Sequence, residues 1–147
     1  MAVWIFLEIH VENTNWIHFP VCQFQAMKTR DLKIYQQAME IGEDVWTMVQ
    51  NWEHFSKSAL GKQMLRAADS IALNIAEGDG RYFYKERNQF FYFSRGSAYE
   101  TSCCLQKALQ RNLINESQFN DLNNKLVIFF YLINAMIKSI KEKANTK

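Results

Sequence analysis

The sequence QMLRAADSIALNIAE, residues Gln63–Glu77, carries two side-chain patterns that together decide the fold. Apolar residues recur along it at spacings of three and four, which is typical of a helix with one buried face. Five polar residues follow the same spacing and form a second row beside the apolar one. This polar row consists of Gln63, Arg66, Ser70, Asn74 and Glu77. Because half-buried polar groups need hydrogen-bonding partners, the pattern predicts a second helix packed alongside the first.

The segment SRGSAYE, residues 94–100, offers complementary polar groups at Arg95, Ser97 and Glu100. We expect an interhelical ladder in which Arg66 meets Glu100 and Asn74 meets Ser97. If the ladder buries Arg66, removal of Glu100 would cost roughly 2–4 kcal/mol. These residues make a poor active site, because no histidine lies in either segment and Ser97 is not in a G-x-S-x-G turn. The sequence therefore favours a structural role for the ladder over catalysis.

Apolar residues recur at helical spacing in three other segments. The first helix is predicted from about Asp31 to Trp52, with Thr29 or Asp31 as its cap. Its buried stripe is expected to include Met39 and Trp46.

The second helix contains the opening stretch and is predicted to begin near Ser56 or Ser58. It is expected to end at Gly78, taken as the left-handed residue that terminates many helices. The third helix is predicted over about 83–111, and its small central residues favour close contact with another helix. Gly96 weakens a helix, so we expect another backbone to pass there.

The fourth helix is predicted to begin at Asn115, where Gln118 completes a capping box. Short connections join the four segments, so we predict an all-α fold, an antiparallel up-and-down four-helix bundle. Composition agrees with one compact helical domain, since 48% of the 147 residues are hydrophobic and the chain has five Gly and a single Pro.

Residues 1–26 differ in composition from the rest and are interpreted as an N-terminal extension before a bundle over 27–147. For this extension we predict a weak strand or an irregular tail. It has neither a basic signal-peptide region nor an apolar run near the roughly 20 residues of a membrane span. Met27 is a candidate for the native start, with the preceding codons translated upstream in frame.

The cysteines and histidines show no metal-ligand spacing. Cys103 and Cys104 are adjacent and point to different sides of a helix, and Cys22 lies far from both in sequence. We interpret them as free thiols of a cytoplasmic protein, and we expect no metal, cofactor or small-molecule substrate.

Two long motifs resemble a known family. LGKQMLRAADSIALNIAEGDGR begins at Leu60, and FSRGSAYET begins at Phe93. They resemble the four-helix-bundle proteins first noticed as reading frames in intervening sequences of large-subunit ribosomal RNA genes, a fold shared with the accessory variability protein of diversity-generating retroelements. The resemblance covers about Leu32 to Lys141. It implies a homo-oligomer, expected to be a pentameric ring, with RNA, DNA or a nucleoprotein partner such as a polymerase, and it implies no catalytic residue.

Cations and aromatic rings are interleaved in the sequence RYFYKER, residues 81–87. Cations can contact phosphates and rings can stack on unpaired bases, so this segment is a candidate nucleic-acid interface. Its candidate contacts are Arg81, Lys85 and Arg87, with Lys57 and Lys62 as further candidates. The alternative is that the rings form core and subunit contacts while the charges are solvated, as in a purely protein-binding or structural oligomer. Leu73, on the polar side of the second helix, also indicates an oligomer face.

Overall fold

The computed structural model describes residues 6–9, 17–20, 29 and 32–145. Two short strands precede the helices: β1, Phe6–Ile9, pairs antiparallel with β2, Ile17–Pro20. Phe6 lies opposite Pro20 and Ile9 lies opposite Ile17. The hypothesis that the native chain starts at Met27 stays a prediction.

Four long helices form the rest of the fold. They are α1, Lys33–Gln50; α2, Lys62–Asp79; α3, Tyr84–Gln110; and α4, Glu116–Asn145. Each helix packs against the next one in the chain, and α1 also contacts α4, which closes the bundle. The prediction of an all-α four-helix bundle is confirmed. None of the described helices combines the length and the apolarity that a membrane span requires.

The start of α2 differs from the prediction. A helical turn at His54–Ser56 and a π-helical segment at Lys57–Gly61 lead into α2 without a break. The predicted cap at Ser56 or Ser58 is therefore wrong, because both residues lie inside this helical run. A Cβ on Gly61 would lie 2.7 Å from the Val49 Cγ1 atom, so this glycine lets α1 pack closely here.

The observed end of α2 shows that the role predicted for Gly78 is wrong. The helix continues to Asp79, and none of the described glycines has a positive φ. A Cβ on Gly78 would lie 3.0 Å from both Phe90 Cβ and Phe91 Cε1. Gly78 therefore allows close approach of α3 and does not terminate the helix.

The start and the buried face of α1 also differ from expectation. Its N-cap is Leu32, which makes no side-chain cap hydrogen bond. Thr29, a predicted cap, donates instead to Asp79 Oδ2 at 2.6 Å, and Asp31 lies outside the described residues. Met39 and Trp46 are 42% and 51% exposed, so their placement in the core is wrong. The helix is rotated, and its inward face contains Ile34, Ala38, Ile41, Val45 and Met48.

Small residues allow the close contact between α2 and α3. Ser94 is fully buried and donates to the Ile71 carbonyl at 2.8 Å, while Ala98 and Thr101 are buried beside it. The predicted close approach is therefore present. Gly96 is different: it is exposed, and a Cβ there would have no neighbouring heavy atom within 4 Å. Within the described chain, no second backbone passes this glycine.

The predicted capping box at α4 is confirmed. Gln118 N–H donates to Asn115 Oδ1 at 2.9 Å, and Asn115 N–H donates to Gln118 Oε1 at 3.0 Å. This reciprocal pair satisfies two backbone donors that the first turn leaves free.

Candidate nucleic-acid interface

The polar row of α2 lies on the surface of the bundle and is satisfied mostly by its own helix. Ser70 Oγ donates to the Arg66 carbonyl at 2.7 Å, and Asn74 Nδ2 donates to the Ser70 carbonyl at 2.7 Å. Glu77 pairs with Arg81 one turn later. These bonds to residues four positions away remove the need for a facing helix.

One contact of the predicted ladder crosses to α3. Gln63 Nε2 donates to Glu100 Oε1 at 3.4 Å. The predicted pairs Arg66–Glu100 and Asn74–Ser97 do not form, and this part of the prediction is wrong. The helices are rotated so that the Ser94–Ile71 contact lies in the centre of the interface between α2 and α3. The predicted polar partners lie at the edge of this interface.

The third predicted partner on α3 turns away from α2. Arg95 Nη1 donates to Asn134 Oδ1 on α4 at 2.9 Å, and its guanidinium lies 5.0 Å from the centre of the Tyr92 ring. Arg95 therefore joins α3 to α4 and does not complete the ladder.

A polar groove lies between the start of α2 and the middle of α3, with a volume of about 510 Å³. Lys62 and Arg66 are both exposed along it, four residues apart on one face of the helix. Neither takes part in an ion pair with another described residue. Glu100 is the carboxylate of this groove, and Ser58, Gln63 and Ser70 add polar groups. Two cations beside hydroxyl and amide donors can bind a phosphate group.

Arg87 does not belong to the interface that the sequence predicted. Its guanidinium is partly buried and donates to the carbonyl oxygens of Gly78 and Asp79 and to Asp79 Oδ1. These bonds fix the end of α2 against the start of α3. Because its Nε and Nη2 donors are bound within the protein, we interpret Arg87 as a structural residue rather than a phosphate contact.

The other candidate cations fall into two separate groups. Arg81 pairs with Glu77 and lies 4.7 Å from the centre of the Phe90 ring, whereas Lys85 is exposed. Lys57 donates to the Gln50 carbonyl at 2.8 Å near the other end of α2, where Lys62 is exposed. The two groups are about 26 Å apart along the helix, given its rise per residue. The five predicted basic residues therefore do not form one patch.

Two groups in the bundle have shifted pKa values. Burial raises the pKa of the Cys104 thiol, and Glu100 adds to the shift, so the thiol stays protonated and unreactive near neutral pH. Burial also raises the pKa of Asp69, with further repulsion from Glu43. Among the described residues, no group of three or more potential metal ligands comes together. Cys22 lies outside the described residues.

The arrangement of four antiparallel helices, closed by contact between α1 and α4, defines the chain as a four-helix-bundle protein. The family described as 23S rRNA-intervening sequence protein matches residues 30–135, and the chain belongs to this family. A solved structure is similar in fold, with a TM-score of 0.65 and 20% identity over 71% of this chain and 98% of that chain. It is a protein of unknown function from the S23 ribosomal protein family of Bacteroides thetaiotaomicron VPI-5482. No curated protein matches the sequence.

Proposed function

We propose that the protein is a non-enzymatic homo-oligomeric adaptor, a ring of five copies, that binds nucleic acid or a nucleoprotein partner. The observation that carries the proposal is the amount of apolar side chain left on the surface of a single bundle. Large apolar residues are exposed on the helices and on their connections: Met39, Trp46, Phe55, Leu73, Tyr82, Phe83, Phe93, Tyr99, Val127, Ile128 and Tyr131. Single exposed apolar residues are normal on a monomer, and it is their number here, with aromatic rings prominent among them, that favours a protein interface.

The groove of Lys62 and Arg66 supports the nucleic-acid part of the proposal. Its two cations are exposed and have no ion-pair partner among the described residues. One such groove provides few phosphate contacts, so a monomer would bind weakly. Five copies in a ring would present the groove repeatedly to one strand, which increases the overall affinity without any new contact.

Binding of labelled single-stranded RNA, measured by fluorescence anisotropy at 50 and 200 mM salt, tests this proposal. We expect binding that weakens with salt, and a loss of about tenfold or more in the Lys62→Ala, Arg66→Ala double variant. The matched control is Lys138→Ala, Lys143→Ala, which removes two exposed cations from the end of α4 and should change binding less than about threefold. Equal binding by both double variants would reject the groove as the phosphate site.

A second candidate is a purely protein-binding or structural oligomer. It is favoured by the internal bonds of Arg81 and Arg87, which withdraw two cations from the aromatic segment. An assembled wild-type protein that shows no RNA or DNA binding at 50 mM salt would support this alternative. A monomeric mass at micromolar concentration would contradict both.

A further inference from the structure

A second groove lies on the opposite flank of α2, against α1, with a volume of about 270 Å³. Its walls are apolar at Tyr35, Met39 and Leu73, and Leu73 is 67% exposed. Two carboxylates, Glu43 and Asp69, lie in the same groove. The groove therefore suits a partner that combines apolar surface with positive charge.

The turn between α2 and α3 has this combination. Tyr82 is 90% exposed and Phe83 is 62% exposed, and their rings pack edge to face with centres 5.1 Å apart. Lys85 follows in the first turn of α3, is exposed and takes part in no ion pair with a described residue. Two exposed aromatic rings beside a cation match the apolar walls and the carboxylates of the groove.

We infer that the turn formed by residues 82–85 of one copy docks into the groove between α1 and α2 of a second copy. This inference rests on the self-assembly in the proposed function and identifies the surfaces that carry it. The turn cannot fill the groove of its own chain, because Asp69 lies about 15 Å before the end of α2 and the turn leads to α3 on another side. Each copy then offers its turn to one neighbour and its groove to another. A contact between two different surfaces is the kind that closes rings.

The electrostatics of the groove agree with this occupant. Glu43 and Asp69 take part in no ion pair with a described residue, so the groove holds negative charge that the single chain leaves uncompensated. Burial, with repulsion from Glu43, raises the pKa of Asp69. An ammonium group from the turn of a neighbour would compensate this negative charge. The inference also assigns Lys85 to a subunit contact and leaves nucleic-acid binding to the groove of Lys62 and Arg66.

Two full-length variants test the contact by mass measurement with light scattering at about 50 µM, where protein interfaces of standard size are normally populated. Leu73→Glu blocks the groove and leaves the turn intact, whereas Tyr82→Ala, Phe83→Ala removes the turn and leaves the groove intact. All three side chains are exposed, so both variants should fold, which circular dichroism checks. We expect each variant alone to lose assembly and an equal mixture to form a 1:1 dimer. In that dimer the intact turn of the first variant occupies the intact groove of the second.

A charge exchange provides an independent check. Asp69→Lys alone should weaken assembly, and Asp69→Lys combined with Lys85→Asp should recover it. The matched control is Asp121→Lys, which makes the same charge change at an exposed position on α4 and should leave the mass unchanged. Retention of the wild-type mass by both interface variants, or a mixture that stays monomeric, would overturn the inference. Those results leave the proposed function standing as long as the wild type assembles, whereas a monomeric wild type would refute the proposed function itself.

Discussion

The Arg87 guanidinium binds the last residues of α2 through Asp79. Its Nη2 atom lies 2.8 Å from the Asp79 carbonyl oxygen and 3.1 Å from Asp79 Oδ1, and its Nε atom lies 3.3 Å from the Gly78 carbonyl oxygen. Thr29 contacts the other carboxylate oxygen at 2.6 Å. The planar donor set of arginine suits this task, because one side chain reaches two backbone carbonyls and a carboxylate at the end of the helix.

Replacement of Arg87 by Met should lower the free energy of unfolding by about 2 kcal/mol, because the partly buried carbonyl and carboxylate of Asp79 lose the donors that Arg87 supplies. Arg87→Lys should recover less than half of the loss, since an ammonium group cannot reproduce the fork. Urea unfolding measures both. Lys107→Met is the control, an exposed cation on the same helix, and should stay within about 0.5 kcal/mol of wild type. Equal effects of Arg87→Met and Lys107→Met would show that the contact adds no stability.

Gly78→Ala should destabilise the bundle by about 1–3 kcal/mol, because the new methyl group meets Phe90 Cβ and the Phe91 ring at 3.0 Å. The same substitution at Gly96 is the matched control. It meets nothing within 4 Å and should stabilise α3 by up to about 1 kcal/mol through helix propensity. Thermal unfolding of the two variants should therefore shift in opposite directions. A shift in the same direction would contradict the packing described for Gly78.

Glu100→Ala should change stability by less than about 0.5 kcal/mol, because Glu100 is exposed and its partner Gln63 lies 3.4 Å away. This expectation replaces the loss of roughly 2–4 kcal/mol that a buried Arg66–Glu100 pair would give. Urea unfolding of the wild type and the variant decides between them. A loss above about 1.5 kcal/mol would mean that Arg66 and Glu100 are coupled, for example within an assembled ring.

The helices were predictable from the sequence because their apolar spacing and the Asn115–Gln118 capping box are local signals. The rotation of each helix about its own axis was harder to predict from the sequence. A stripe through Met39 and Trp46 fits helical spacing nearly as well as the true stripe through Ile34 and Ile41. Only packing against the other helices decides between the two.

The candidate site was predicted less well for the same reason. The polar row of α2 was identified correctly as a row, but its partners depend on helix rotation and on bonds to its own backbone. Arg87 looked like a surface cation because a basic residue among aromatic rings carries no local sign of burial. Its proximity to Asp79 arises from the tight turn between α2 and α3, and only the structure shows it.

Asp69→Asn should show how much stability the protein loses because the pKa of Asp69 is raised. Because burial and Glu43 raise this pKa, there is a pH interval, between the pKa of the unfolded chain and that of the folded protein, in which the folded protein keeps a proton that the unfolded chain has released. Stability falls as pH rises through this interval. The Asp69→Asn variant should therefore be more stable than the wild type above this pH interval, and the difference should disappear below about pH 4. Asp69 is mostly exposed, so the gain should stay under about 1 kcal/mol. Urea unfolding of dilute protein from pH 3 to 7 measures it, and a difference that does not vary with pH would contradict the assignment.

Asn115→Ala should lower the free energy of unfolding by about 1 kcal/mol, because the N–H of Gln118 loses its acceptor at the start of α4. Asn115→Asp should retain most of the stability, since aspartate accepts the same bond and suits the positive end of the helix. Urea unfolding compares the two with Asn120→Ala, an exposed asparagine one turn inside α4 that should change stability by less than about 0.5 kcal/mol. If Asn115→Ala and Asn120→Ala behave alike, the capping box contributes nothing, and the start of α4 must be fixed by the packing of its apolar face alone.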